Sequence, residues 1–303
     1  MTRSMRKRSR AAPAGAILAA LILLLACRPG ACEPALWLAK GPQATIYLFG
    51  TIHALKKEAA WESPAIAKAL AASRELWLEI PDLGETTEAQ TLTRQLGFDP
   101  QQPLSTKLPA PELAHLDAAA KALGMSEGEK TLEPMRPWLA SVALEDALLV
   151  HAGYDPGGGV EPQLLRQATA AGKAVRGFES LAQQLHFFAD MAPALELQLL
   201  QETLRDFDQG TREIDALVDA WMSGDDAEIA RTTIDEIRTP FPALYRALFV
   251  ERNERWAAAI ARMLQGSGVI FIAVGAGHLA GPDSVQAALE RRGIAVERVG
   301  AAH

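Results

Sequence analysis

Cysteine is nearly absent, with 2 among 303 residues, Cys27 and Cys32. A disulfide scaffold and a cysteine-built metal cluster are therefore excluded, and any reactive chemistry must come from histidine, carboxylates or hydroxyls. Long apolar runs are missing too. The longest, Ala14 to Ala26, has thirteen apolar or small residues, short of the roughly 18 that a spanning helix needs. Basic charge is scarce beyond the amino end: six of the 30 basic residues lie in the first 32 positions, leaving 24 against 37 acidic ones, a net charge of −13. So acidic a remainder has no footprint for a nucleic-acid backbone and is repelled by an anionic membrane surface. What is present is a globular composition, 49% hydrophobic and 22% charged with 6% aromatic, ample for a sizeable core.

The basic cluster Arg3 to Arg10, the apolar run and the helix-breaking Cys27-Arg28-Pro29-Gly30 that follows have the order of an export signal over residues 1–32. Cleavage near Gly30-Ala31-Cys32 gives a mature chain without cysteine. Leu24-Leu25-Ala26-Cys27 also resembles a lipobox, which would place a lipid on Cys27. Either way the expected location is the periplasm or cell envelope, with the membrane engaged only through the signal or that lipid.

Residues 33–303 are expected to form one α/β domain. Leu36 to Ala39 and Ala44 to Phe49 read as strands joined by the Gly41-Pro42 turn, and Ser63-Pro64 caps a helix to Ser73 that leads into the strand Leu76 to Ile80. Such a strand, helix, strand unit favours parallel strands ending on one edge. Helices are expected over Pro137 to Val150 and Pro162 to Ala171, then a strand from Ala174 to Phe178. Residues 181–264 read as a helical insertion, before a strand at Val269 to Val274, a helix from Pro282 to Arg291 and a strand at Ala295 to Val299. The expected fold is thus a mixed, mainly parallel sheet built by both chain ends.

Four polar residues follow strands in equivalent places: His53, Glu79, Glu179 and His278. Ligands in open α/β sheets bind outside the carboxyl ends of parallel strands, so these side chains are expected to converge. Two imidazoles and one or two carboxylates can hold a divalent ion such as Zn, Mn, Co or Fe and leave a position for water. A lone Gly-x-x-His is common. Two of them, Gly50-Thr51-Ile52-His53 and Gly275-Ala276-Gly277-His278, each after an apolar strand, are a stronger signal.

These motifs, with Met135-Arg136-Pro137-Trp138, Gly153-Tyr154-Asp155-Pro156, Gly159-Val160-Glu161 and Glu251-Arg252-Asn253, resemble the TraB/PrgY/GumN family in its bacterial GumN-like branch. The resemblance runs from about Trp37 to Val299. It implies an erythromycin-esterase-like or haem-uptake-lipoprotein-like fold and kinship with the Tiki metalloproteases. His53 and His278 match the motif histidines, Glu79 the acid, and Arg252 and Asn253 the polar pair, while Glu161 stands where many relatives carry Asp. Roles follow as expectations: His53, Glu79 and His278 as metal ligands, Glu179 or Glu251 as a further ligand or general base, Arg252 and Asn253 as oxyanion stabilisers. Asp283 is expected in the first turn of a helix.

The leading expectation is a metal-dependent hydrolase of peptide or other amide bonds, with a divalent cofactor and a peptide or small-molecule substrate. The alternative is a non-catalytic envelope protein that captures a peptide signal or haem. A role in envelope polysaccharide production follows only from the family's name.

Overall fold

The structure, a computed structural model, describes residues 33–57, 59–81, 87–207 and 211–300. The export signal and Cys27 lie outside the described residues. No helix among those described is long and apolar enough to cross a membrane.

Six strands form one mixed sheet: β1 (Leu36–Lys40), β2 (Gln43–Thr51), β3 (Glu75–Leu78), β4 (Ala174–Gly177), β5 (Ser267–Gly275) and β6 (Val296–Arg298). Their order is β4-β3-β5-β2-β1-β6. β1 runs antiparallel to both β2 and β6, whereas β2–β5, β5–β3 and β3–β4 are parallel. The fold is α/β, with the sheet shared between the two ends of the chain.

β2 and β3 point the same way, as the strand, helix, strand unit implied, each running parallel to β5. β2 and β3, linked through the helix Pro64–Ala72, are not neighbours, because β5 lies between them. The reason is burial. Ile270, Phe271, Ile272, Ala273 and Val274 are all buried, and a strand apolar on both faces belongs in the middle of a sheet with helices above and below.

On one face, Phe49, Leu76, Leu78 and Phe271 pack with Ile66, Leu164 and Trp221. On the other, Ile46, Leu48, Ile270 and Ile272 meet Trp256, Ile260, Val285 and Leu289 from the helices Glu251–Met263 and Val285–Glu290. The start of Pro64–Ala72 obeys its sequence, with Pro64 in the first turn and Ser63 Oγ accepting from the Ile66 N–H at 3.4 Å.

The described residues between Leu181 and Met263 form helices and no strand. Two stretches, Ala230–Asp235 and Arg246–Val250, have π-helical geometry, a form that is rare and concentrated at functional sites. Arg136 ties this part to the rest, pairing with buried Glu196 and donating to the carbonyls of Leu96 at 2.9 Å and Ala189 at 2.8 Å. Two helix starts differ from expectation. The helix Val160–Ala170 begins before Pro162, which puts Glu161 in its first turn. The last helix begins at Val285 behind the cap Ser284, so Asp283 lies outside it.

Candidate functional site

The parallel strands bring the two histidine loops to one edge. In the β2–β5 ladder, Gly50 faces Val274 and Thr51 faces Gly275, so both Gly-x-x-His turns leave adjacent strands at the same level. Glu79 follows β3, and Glu179 stands two residues past β4, whose Gly177 is in register with Leu78. Four strand ends therefore deliver His53, Glu79, Glu179 and His278 together. Gly275 sits among them: a Cβ there would lie 3.2 Å from Glu79 Oε1, 3.7 Å from His53 Nε2 and 3.7 Å from His278 Cδ2. Its N–H donates to Glu79 Oε1 at 2.7 Å.

His53 has a carboxylate behind it. Its Nδ1 is 2.8 Å from Glu161 Oε1, and the Thr51 hydroxyl donates to the same oxygen at 2.5 Å. Glu161 reaches this place because its helix docks on the His53 loop, with the Val160 N–H donating to the Ile52 carbonyl at 3.0 Å. The approach demands a glycine, since a Cβ on Gly159 would stand 2.1 Å from the His53 carbonyl oxygen. The helix N-terminus also favours the carboxylate's charge. The neighbouring Gly153-Tyr154-Asp155-Pro156 segment supports the loop through the Asp155–Leu55 bridge.

Arg252 sits between the carboxylates. Its Nε and Nη2 donate to Glu179, Nη2 also to Glu79 Oε2 at 2.5 Å, and Nη1 to the Leu248 carbonyl and His278 Nε2, each at 3.1 Å. All five guanidinium N–H groups thus have partners. Trp256 and Phe187 lie on the guanidinium at 4.7 and 5.1 Å, and Gln184 donates to Glu79 at 3.0 Å and Glu179 at 3.4 Å.

His278 is buried and held in one tautomer. Asn253 Nδ2 donates to the Asp283 carbonyl at 2.7 Å, so its Oδ1 is the acceptor 2.6 Å from His278 Nδ1. The proton is on Nδ1, and Nε2 accepts from Arg252. Burial pushes His278 down to about 3, with Arg252 and His53 adding to it and Glu79 opposing. Burial alone would raise Glu79, but His278, Arg252, His53 and the Gly275 N–H hold its carboxyl down to about 2. The Glu161 carboxylate raises His53, against partial desolvation. The His53 side chain is 76% exposed, so water screens that pull and the direction matters more than the size. Glu161 itself, although its burial favours the neutral form, is held below the usual carboxylate range by His53 and Thr51.

These groups form the floor of a cavity of about 420 Å³ that His53, Glu79, Arg252 and His278 all line. Glu179 is buried beneath it as the clamp on Arg252. Glu251 is not brought in: it pairs with Arg246 at 2.8 Å and is half-exposed, because successive helical residues point about 100° apart and the inward face carries Arg252, Asn253, Trp256, Ala257 and Ile260. Asn253 orients His278 and does not line the cavity. Asp283 accepts from the Tyr245 hydroxyl at 2.8 Å. The contributions of Thr51 and Gln184 carried no signal in the sequence; that of Glu161 could have been found from Gly159-Val160-Glu161 placed at a helix start.

The donor chemistry suits a divalent ion in part. Among the described residues no hydrogen bond engages His53 Nε2, and its other nitrogen is anchored on a carboxylate, as metal-bound histidines usually are. His278 Nε2 and Glu79 Oε2 are engaged by Arg252, and among the described residues no three His, Cys, Asp or Glu side chains are spaced to hold an ion as they stand.

A sequence profile of the TraB/PrgY/gumN family matches residues 35–298. An uncharacterized protein of Treponema pallidum (strain Nichols) is 25% identical over 276 residues, which is 86% of this chain and 81% of the relative. No solved structure matches.

Proposed function

The chain belongs to the TraB/PrgY/gumN family, and on that footing we propose that it is a hydrolase of peptide or other amide bonds in the cell envelope, with His53 as the proton-transfer residue. The observation that carries this reading is the pairing of His53 Nδ1 with Glu161 Oε1 at 2.8 Å, beside a cavity that His53 itself lines. The envelope location rests on the basic and apolar pattern of residues 1–32.

In this reading a water oxygen attacks the carbonyl carbon while His53 Nε2 takes its proton. The C–N bond then breaks, and His53 returns a proton to the departing nitrogen, so one water is consumed and a carboxylic acid and an amine are released. Glu161 holds the imidazole in the tautomer this needs and stabilises its charged form. Arg252 contributes positive charge near the carbonyl oxygen, but its engaged N–H groups leave no spare donor for it. A divalent cation at His53, Glu79 and His278 would supply the missing polarisation and a more acidic water. Its support is the donor set, since His53 anchors Nδ1 on Glu161 and keeps Nε2 for the cavity that Glu79 and His278 also line. Arg252 would have to release His278 Nε2 for all three donors to serve.

The test is amide hydrolysis by the purified protein in chelator and in added Mn(II), Co(II) or Zn(II), alongside His53→Ala. Hydrolysis that depends on His53 supports the reading, and restoration by metal supports the cation. Turnover indifferent to both would remove it.

A further inference from the structure

Two cavities meet at His53. Beside the larger one, of about 420 Å³, lies a smaller one of about 260 Å³ lined by Leu78, Ile80, Glu161 and Pro162. His53, Glu79 and Gln184 line both. A bond placed against His53 therefore has one fragment in each chamber.

The chambers differ chemically. The larger is roofed by Phe187, Phe188, Ile214, Leu217, Val218 and Leu248, from three separate helical stretches. These large apolar side chains are only partly buried and line the cavity. Its ionisable lining groups are His53, Glu79, Arg252 and His278, all on the floor. A charged substituent lodged under the roof would lose its hydration without gaining a partner, and an apolar one would cover apolar surface.

Charge gives the substrate a direction. Arg252 lines the larger chamber and not the smaller, whereas Glu161 lines the smaller and not the larger. The carbonyl oxygen gains negative charge as water adds, so it belongs on the Arg252 side. The departing nitrogen gains a proton and belongs on the carboxylate side.

Resting on the hydrolase reading above, we propose that the larger chamber is an acyl subsite for a bulky uncharged apolar group on the carbonyl side of the cleaved bond, and that the smaller chamber takes a compact amine fragment. The substrate class is an amide with an aliphatic or aromatic acyl part, and the roof residues set its preference. Leu217 and Val218, adjacent on the helix Arg212–Ser223, lie where added bulk would fill the chamber.

Calorimetric titration of the full chain with acetyl-, butyryl-, hexanoyl- and phenylacetyl-glycinamide tests this. Affinity is expected to rise about fourfold per added methylene, with the phenylacetyl compound distinguishing aromatic from aliphatic preference. Leu217→Trp and Val218→Trp are expected to flatten the gradient, with hexanoylglycinamide losing far more affinity than acetylglycinamide. Leu217→Ala, which adds no bulk, is expected to weaken hexanoylglycinamide several-fold. A flat series in the wild-type chain, or a gradient untouched by all three substitutions, would overturn the subsite. Lengthening the amine side instead, in acetylglycine hexylamide, is expected to bring no gain, and a comparable gain there would overturn the orientation. Binding needs no turnover, so the two proposals separate. An intact gradient without hydrolysis removes the hydrolase and keeps the chamber, whereas hydrolysis with a flat gradient removes the chamber alone.

Discussion

Glu161 Oε1 stands 2.8 Å from His53 Nδ1, and the same oxygen accepts from Thr51 at 2.5 Å. The carboxylate therefore fixes both the orientation of the imidazole and the nitrogen it turns towards the cavity. Replacing Glu161 by Gln keeps the shape and removes the charge. His53 is then expected to release its proton at lower pH, and hydrolysis to fall about 10- to 100-fold. Histidine 15N resonances followed through a pH titration check the first, and an unmoved His53 midpoint would contradict it.

Among the described residues, Arg252 is the one buried cation that bridges Glu79 and Glu179. Arg252→Met is expected to cost about 3–5 kcal/mol, since it leaves half-buried Glu79 without a cation and buried Glu179 with only the exposed Arg255 at 3.4 Å. Lysine cannot restore the five-point arrangement. Urea denaturation measures the loss, and a change below about 1 kcal/mol would show the cluster to be far more hydrated than its burial implies.

Gly159→Ala sets a side chain against the His53 carbonyl oxygen, 2.1 Å from the ideal Cβ. Backbone must move, because a carbonyl oxygen cannot rotate away. A loss on the order of 1–3 kcal/mol is expected, with the 15N shift of His53 changing as Glu161 is displaced. The equivalent change at Gly153, whose Cβ would meet nothing within 4 Å, gives strain through its φ of 83° and is expected to leave that shift alone.

His278 links acid to stability. Its imidazole is held down to about 3 in the folded chain and returns to about 6.5 when unfolded. Between these values the unfolded state binds a proton that the folded state does not, so stability falls as pH drops from about 6.5 towards 3. Thermal midpoints across this range check it. In His278→Gln the slope is expected to be shallower, with the remainder carried by Glu79 at the acid end, where the carboxyl held down to about 2 gives the same sign. An unchanged slope would contradict the neutral buried imidazole.

The strand-end positions of His53, Glu79, Glu179 and His278 were legible because apolar runs ending in Gly-x-x-His or in an acid mark where a buried strand meets the surface. The placement of β5 between β2 and β3 was not, since pairing partners 224 residues apart leave no local trace. Glu161 carries no role in the sequence because it stands where many relatives have Asp, and the helix start expected at Pro162, two residues after the actual one at Val160, hides its place in the first turn. Glu251 was drawn in by its neighbours: a charged run does not reveal which residue of a helix turns inward until the packing of Trp256 and Ile260 fixes the face. The roof of the cavity comes from helices whose apolar residues read simply as core.

The most direct measurement is the rate of amide-bond hydrolysis by the wild-type chain and by His53→Ala, taken with both proteins shown to have the same thermal midpoint. His53 is largely exposed, so its removal is expected to spare the fold and to lower kcat at least 100-fold. Equal turnover in the two proteins would contradict the assignment of proton transfer to His53 and, with it, the account of the site.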